Sequence, residues 1–201
     1  MNRATALPGI VFKAMALLLG LTVSAGASDW APRQGLELIG QPAPELQGIK
    51  WLQGGPLSLA EAKSQGKAVL LRFWLIDCPY CTRSAPALNE IHSRYADRGL
   101  LVIGIHHPKS ERARDAEVVR HAARQFGFKF AVGSDDEWKT VRAYGVGTTF
   151  TDFTSTSFLI DKTGTIRWLH DGGEFHRGGG PGHERCNAAF ESLQRELDAL
   201  L

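Results

Sequence analysis

The feature that most constrains this chain is the Cys-Pro-Tyr-Cys sequence from Cys78 to Cys81, because it stands between an apolar, β-rich run and a helical segment. The run covers residues 68–76 and the helical segment covers residues 82–98, so both sulfurs fall at a strand-to-helix junction. Pro79 suits a first helical turn, whose free N–H groups stabilise a thiolate on Cys78. Cys78 is therefore the predicted nucleophile, and Cys81 the thiol that resolves a mixed disulfide.

Two other roles for this pair are open from the residues. Half of a zinc site would need two more ligands at comparable spacing, and Cys186 is the only other cysteine. A structural disulfide across so short a loop would gain little chain entropy from closure. The favoured prediction is a redox-active Cys78–Cys81 disulfide with no further cofactor.

The N-terminus predicts export from the cytosol. Arg3 and Lys13 flank a positive segment, which a short apolar stretch and an Ala-Gly-Ala cleavage site at 25–27 follow. Residues 1–27 are therefore a predicted signal peptide and residues 28–201 the mature domain, with an uncleaved membrane anchor as the alternative. We expect a periplasmic protein, in which a CxxC pair stays reduced only if an electron donor serves it.

The charge of the chain argues against nucleic acid as a partner. The formal net charge is +2, and cleavage after residue 27 removes two basic residues and no acids, which leaves zero. Nucleic-acid binding then loses its main driving force. The glycine-dense segment also lacks the Lys-Ser/Thr of a phosphate loop.

Hydrophobic periodicity predicts an α/β domain. Strands are predicted at 36–39, 49–52, 69–75, 100–105, 158–160 and 165–169, and helices at 57–62, 82–98, 115–126, 136–144 and 186–201. The two central strands are joined through a helix and should run parallel, which brings His106 and His107 to the same sheet edge as Cys78. The last two strands form an antiparallel hairpin.

This order of elements resembles the thioredoxin fold, a central mixed sheet flanked by helices, here with an N-terminal extension and a C-terminal helix. Three phrases are similar to the TlpA/ResA-like branch, also grouped as redoxin or AhpC/TSA-like domains. They are Gly-Gln-Pro-Ala-Pro at 40–44, the run from Leu71 through Trp74 to Cys81, and Phe-Leu-Ile-Asp-Lys-Thr-Gly-Thr-Ile at 158–166. Residues 102–108 also resemble the thioredoxin-like domain of DipZ-type transporters.

The resemblance implies an extracytoplasmic thiol-disulfide oxidoreductase that acts on protein thiols or disulfides and receives electrons from a membrane-embedded donor. Two alternatives are a peroxiredoxin-like thiol peroxidase and a metal-binding redox module. The peroxidase would need a threonine three residues before its cysteine, where this chain has Leu75. The Pro79-Tyr80 pair is that of glutaredoxins, and it leaves the direction of electron flow open.

The chain departs from the family pattern at two positions. Ser155, preceded by Thr154, stands where relatives carry a cis-proline, and we expect a trans bond because a cis non-proline bond is costly. Arg72 replaces the buried acid of thioredoxins; it would favour a thiolate, or else point into solvent or pair with an acid. The substitute acid/base candidates are Asp77, His106 and His107. A relaxed loop at Ser155 would also open both thiols to a soft metal with His106 or His107.

The glycine-rich segment 171–183 lies beyond the family resemblance. His176, His183 and Cys186 have metal-ligand chemistry without a standard spacing, so they are weak metal candidates. A solvated loop is the simplest interpretation, and a third thiol that partners another cysteine is the remaining one. The default for Cys186 is a lone buried cysteine.

Overall fold

The computed structural model describes Met1, residues 30–148 and residues 154–201. The predicted signal peptide lies outside the described residues. No helix within the described ranges is long and apolar enough to cross a membrane.

The described residues form one mixed sheet of six strands with helices on both faces. The strands lie in the order β1-β4-β3-β2-β5-β6. The parallel pairs are β2 with β3 and β3 with β4, and the other neighbours are antiparallel. The elements are β1 (Lys50–Gln53), α1 (Leu59–Ser64), β2 (Ala68–Trp74), α2 (Pro79–Tyr95), β3 (Leu100–His106), α3 (Ala116–Gln125), β4 (Ala131–Ser134), α4 (Lys139–Ala143), β5 (Ser157–Ile160), β6 (Ile166–His170) and α5 (Glu184–Leu200).

Strand β2 carries the core because all seven of its residues are buried. Successive side chains of a strand point to opposite faces. Leu70 and Trp74 accordingly join the cluster that contains the apolar faces of α2 and α5, whereas Leu71 and Phe73 join the cluster under α1 and α4. The predicted mixed sheet between helices is therefore confirmed.

The parallel pairing of β2 with β3 places their carboxyl ends at one edge of the sheet, as predicted. Trp74 pairs with His106, and the His107 N–H donates to the Trp74 carbonyl at 3.3 Å. Cys78 follows Trp74 by four residues and begins α2, so the thiols and both histidines lie at the same rim.

The structure differs from the local predictions at three places. The segment 36–39 forms a short 3-10 turn instead of a strand. Strand β4 was not predicted, because Ala-Val-Gly-Ser carries little β signal. It needs Gly133, where a Cβ would lie 2.3 Å from Cγ2 of Ile49. Helix α4 begins only after Trp138, whose φ of 60° is left-handed. The Asp135 carboxylate accepts the backbone N–H groups of Lys139 and Val141 and so fixes this start of the helix.

Candidate redox site

Cys78 occupies the N-cap of α2, with Pro79 in the first turn. Its sulfur accepts a hydrogen bond from the backbone N–H of Cys81 at 3.3 Å. The two thiols are unpaired and unequally accessible, because Cys78 is 8% exposed and Cys81 is 1% exposed. Cys78 is thus the less buried of the two sulfurs.

The surroundings of the two sulfurs shift their pKa values in opposite directions. The hydrogen bond from the Cys81 thiol, together with backbone N–H groups and the nearby Arg72 cation, lowers the pKa of Cys78 from 9.0 to about 6. The same thiol–thiol hydrogen bond, and then burial, raise the pKa of Cys81 well above its ordinary range. At neutral pH the pair is therefore a thiolate beside a thiol.

Arg72 lies inside the protein and is only 1% exposed, whereas one alternative from the sequence was a side chain that points into solvent. Its Nη1 donates to the carbonyl of Ser155 at 2.7 Å and to Oγ of Ser157 at 3.2 Å, and its Nη2 donates to the carbonyl of Gly173 at 3.0 Å. None of these partners is an acid. The interpretation of Arg72 as a solvated or acid-paired residue is wrong, because β2 is central and buries this side chain.

The segment before β5 connects Arg72 to the glycine-rich loop. Thr154 and Ser155 are buried, and the bond between them is trans, as expected. The Ser155 hydroxyl accepts the N–H of Gly173 at 3.0 Å, while the Ser155 carbonyl holds Arg72. Ser155 therefore joins the buried cation to the loop.

The acid/base candidates lie near the site but do not touch the sulfurs. Burial lowers the pKa of His106 to about 4 and that of His107 to about 3, so both are neutral at physiological pH. His106 packs edge-on against Trp74 at 5.2 Å, and the exposed Asp77 pairs with Arg112.

Among the described residues, no hydrogen bond or ion pair joins these candidates to Cys78 or Cys81, and the histidines form no metal-ligand cluster with the cysteines. The suggested metal site of the two thiols with His106 or His107 is therefore not assembled.

The glycine-rich loop is packed rather than wholly solvated. Phe175 is fully buried, and its N–H donates to Oγ of Ser84 in α2 at 3.1 Å. His176, His183 and Cys186 come together, as the weak metal prediction required, with Glu174 as a fourth member. Burial and the Glu174 carboxylate raise the pKa of Cys186, so this thiol is not activated as Cys78 is.

The model of the AhpC/TSA family matches residues 39–169, about two thirds of the sequence. The chain belongs to the AhpC/TSA family. This membership confirms the family resemblance and agrees with the thioredoxin-like sheet and CxxC turn.

Two proteins that resemble this chain are ResA and DipZ. Thiol-disulfide oxidoreductase ResA of Bacillus thuringiensis (strain Al Hakam) is 34% identical over 128 residues, which are 64% of this chain and 66% of ResA. Protein DipZ of Mycobacterium tuberculosis is 32% identical over 132 residues, which are 65% of this chain and 18% of DipZ. The chain thus spans just under two thirds of this ResA. The printed name of this ResA is that of a thiol-disulfide oxidoreductase, the class that the sequence predicts.

A solved structure has the same fold. The protein described as thiol:disulfide interchange protein DsbE of Chlorobium tepidum superposes with a TM-score of 0.62 at 26% identity. The superposition covers 81% of this chain and 96% of that one. The thioredoxin-like architecture predicted for this AhpC/TSA-family chain is therefore confirmed.

Sequence reasoning missed three residues of this AhpC/TSA-family site. The Ser84 hydroxyl donates a hydrogen bond to the Tyr80 carbonyl at 2.8 Å and accepts one from the Phe175 N–H. The centre of the Phe175 ring lies 5.4 Å from the Arg72 guanidinium. The Gly173 carbonyl accepts a hydrogen bond from the same guanidinium. The apolar Phe175 within a glycine-rich, polar stretch was the available signal that this loop packs onto the domain.

Proposed function

We propose that this chain is an extracytoplasmic thiol-disulfide oxidoreductase that exchanges electrons with protein substrates through Cys78 and Cys81. The observation that carries the proposal is the pairing, at the start of α2, of a thiol with a lowered pKa at the helix N-cap with a more deeply buried thiol of raised pKa. A thiolate with a pKa near ambient pH is both populated and nucleophilic.

The first step forms a mixed disulfide. The Cys78 thiolate attacks one sulfur of a substrate disulfide, a new S–S bond to Cys78 forms, and the substrate S–S bond breaks. The released substrate sulfur departs as a thiolate and takes up a proton. The Arg72 cation favours the thiolate form of Cys78 and does not act as a base.

The second step makes Cys81 the nucleophile. Its pKa is held high chiefly by the hydrogen bond to the Cys78 sulfur, and this interaction changes once that sulfur is bonded to substrate. Arg72 then favours deprotonation of Cys81, whose proton passes to the departing substrate sulfur. The Cys81 thiolate attacks Cys78, the mixed disulfide breaks, and the substrate has gained two electrons and two protons. The reverse sequence oxidises a substrate dithiol.

The compartment and the electron donor belong to the same proposal. The predicted signal peptide at 1–27 supports a periplasmic location. In an oxidising compartment the pair would remain a disulfide unless a reductant served it, so we infer a membrane-embedded donor of electrons. The chemistry uses the protein sulfurs and calls for no further cofactor.

Insulin reduction with dithiothreitol as donor tests the activity against the peroxidase alternative. The purified mature chain is expected to accelerate insulin precipitation and to consume hydrogen peroxide slowly, because Leu75 stands where a peroxidase needs threonine. Rapid peroxide turnover that is lost in Cys78→Ser, without insulin reduction, would replace the proposal by the peroxidase. The reduction potential of the Cys78/Cys81 couple then decides between a reductant and an oxidant.

A further inference from the structure

A second cluster of reactive side chains lies where the glycine-rich loop meets the start of α5. Glu174 and His176 come from the loop, His183 is the N-cap of α5, and Cys186 lies in its first turn. One ligand atom from each residue lies within 4.8 Å of all the others. This cluster is separate from the Cys78–Cys81 pair.

The distances from Glu174 to the two histidines leave room for an ion at the centre of the cluster. Oε1 of Glu174 is 3.9 Å from His176 Nε2, 3.9 Å from His183 Nδ1 and 3.8 Å from Cys186 Sγ. The nitrogen–oxygen separations are too long for hydrogen bonds. A tetrahedral zinc ion with ordinary bond lengths has ligand–ligand distances of about 3.3–3.7 Å, so the four ligand atoms, which lie within 4.8 Å of one another, would move closer together around it.

Outer contacts orient two of the ligands. The Glu174 Oε2 atom is paired with Arg83, which leaves Oε1 for the cluster. His176 Nδ1 lies 3.3 Å from the Arg177 carbonyl. A proton on Nδ1 leaves the lone pair of Nε2 available to a metal ion. Such second contacts fix the tautomer and the orientation of metal-binding histidines.

The loop backbone also makes room for His183. A Cβ at Gly179 would lie 2.5 Å from the His183 ring, and the φ of Gly179 is +95°. An open cavity of about 410 Å³, lined in part by His176 and His183, offers an access route. The ring nitrogens of these histidines are 3.2 Å apart, and a metal would take the place of the proton between them.

We propose that Glu174, His176, His183 and Cys186 bind one divalent transition-metal ion of the zinc class with tetrahedral geometry. One thiolate and one carboxylate neutralise the double charge of the ion, and two imidazoles complete a set that is usual for zinc. Binding releases the proton of the Cys186 thiol and oxidises nothing. With four protein ligands the site is closed, so its role is structural.

The metal would fasten the loop to the redox domain. Gly173 and Phe175 lie beside the ligands and contact Arg72 and Ser84. An ion that binds the folded loop and not the unfolded chain stabilises the fold by mass action. Zinc is therefore expected to raise the melting temperature, and a chelator to reverse that rise.

Zinc and cobalt binding to the full mature chain test the site. The experiment uses a Cys78→Ser/Cys81→Ser background, because the CxxC thiols would otherwise bind these metals. We expect one zinc ion per chain, and cobalt to give the intense visible bands of tetrahedral coordination together with a thiolate-to-cobalt charge-transfer band. Absence of stoichiometric zinc binding, or a weak six-coordinate cobalt spectrum, would overturn the proposal.

Substitutions in that background assign the ligands. Cys186→Ser should abolish the thiolate-to-cobalt band. His176→Gln should lower the affinity for zinc by more than about 100-fold, which exceeds the usual effect of losing a residue that contacts a ligand but not the metal. His121→Gln, an exposed histidine on α3, is the matched control and should bind zinc normally. Circular dichroism shows whether each variant folds, and Glu174→Gln replaces any that does not. Equal losses in His121→Gln and His176→Gln, or a charge-transfer band that survives Cys186→Ser, would refute the assignment.

Discussion

Two helices of this protein, α2 and α5, each carry a cysteine at their N-terminal end, and the two cysteines differ in reactivity. Cys78 caps α2, where the Cys81 thiol, backbone N–H groups and Arg72 lower its pKa to about 6. Cys186 lies in the first turn of α5, where burial and the Glu174 carboxylate raise its pKa. A helix N-terminus is therefore not sufficient to activate a thiol. The partners that face the sulfur determine whether it is a nucleophile or a thiol that needs a metal to ionise.

The largest expected effect distinguishes the three cysteines by function. Cys78→Ser should abolish insulin reduction, and Cys81→Ser should accumulate a mixed disulfide through Cys78, because the resolving thiol is gone. Cys186→Ser should reduce turnover far less. Insulin assays and non-reducing electrophoresis with mass spectrometry check these outcomes. A trapped adduct on Cys81 in Cys78→Ser, together with no adduct on Cys78 in Cys81→Ser, would reverse the two roles.

Much of this redox site was predictable because its signals are local. Continuous apolar runs predicted β2 and β3, and the CxxC position predicted a sulfur at the start of a helix. The environment of Arg72 was not predictable, because its partners Ser155 and Gly173 are distant in sequence. Three members of the second cluster, His176, His183 and Cys186, were predicted as weak metal candidates, but Glu174 was missed because the spacing of the four residues matches no standard motif.

The pH dependence of alkylation should show the activation of Cys78 directly. In a Cys186→Ser background, the iodoacetamide rate of the reduced protein should rise with a midpoint near pH 6, against about 9 in the denatured chain. The midpoint is a sharper measure than the rate at one pH, because a thiolate of low pKa is also a weaker nucleophile. A folded-state midpoint above 8 would contradict the activation of Cys78.

The same shift predicts how stability depends on pH. Because the folded pKa of Cys78 is depressed, its stabilisation is complete above the unfolded pKa near 9 and is lost as pH falls towards 6. His106 and His107 have depressed pKa values, so they destabilise the fold as pH falls below 6.5. The reduced protein should therefore gain stability from pH 6.5 to 9. The Cys78→Ser variant should lack that gain while retaining the loss at acid pH, as measured by urea denaturation.

A smaller effect is expected from Arg72, which stabilises both thiolates from inside the sheet. Arg72→Met should raise the alkylation midpoint of Cys78 by about 1 pH unit. It should also destabilise the protein by on the order of 2–4 kcal/mol, because the buried carbonyl of Ser155 and the part-buried carbonyl of Gly173 lose their donor. Arg72→Lys keeps the charge and should hold the midpoint nearer 6. An unchanged midpoint in Arg72→Met would leave the hydrogen bonds from Cys81 as the whole cause of activation.

The smallest expected effect concerns Ser155, which joins the two regions. Ser155→Ala removes the acceptor of the Gly173 N–H but keeps the carbonyl that holds Arg72. The free energy of unfolding should therefore fall by about 1 kcal/mol, and the Cys78 midpoint should stay near pH 6. Thr156→Val is the matched control, because the neighbouring buried hydroxyl has no hydrogen-bond partner and its removal should cost nothing. Equal losses in the two variants would mean that the Ser155 hydroxyl does not fasten the loop, whereas a shifted midpoint in Ser155→Ala would mean that loop and thiolate are coupled through this serine.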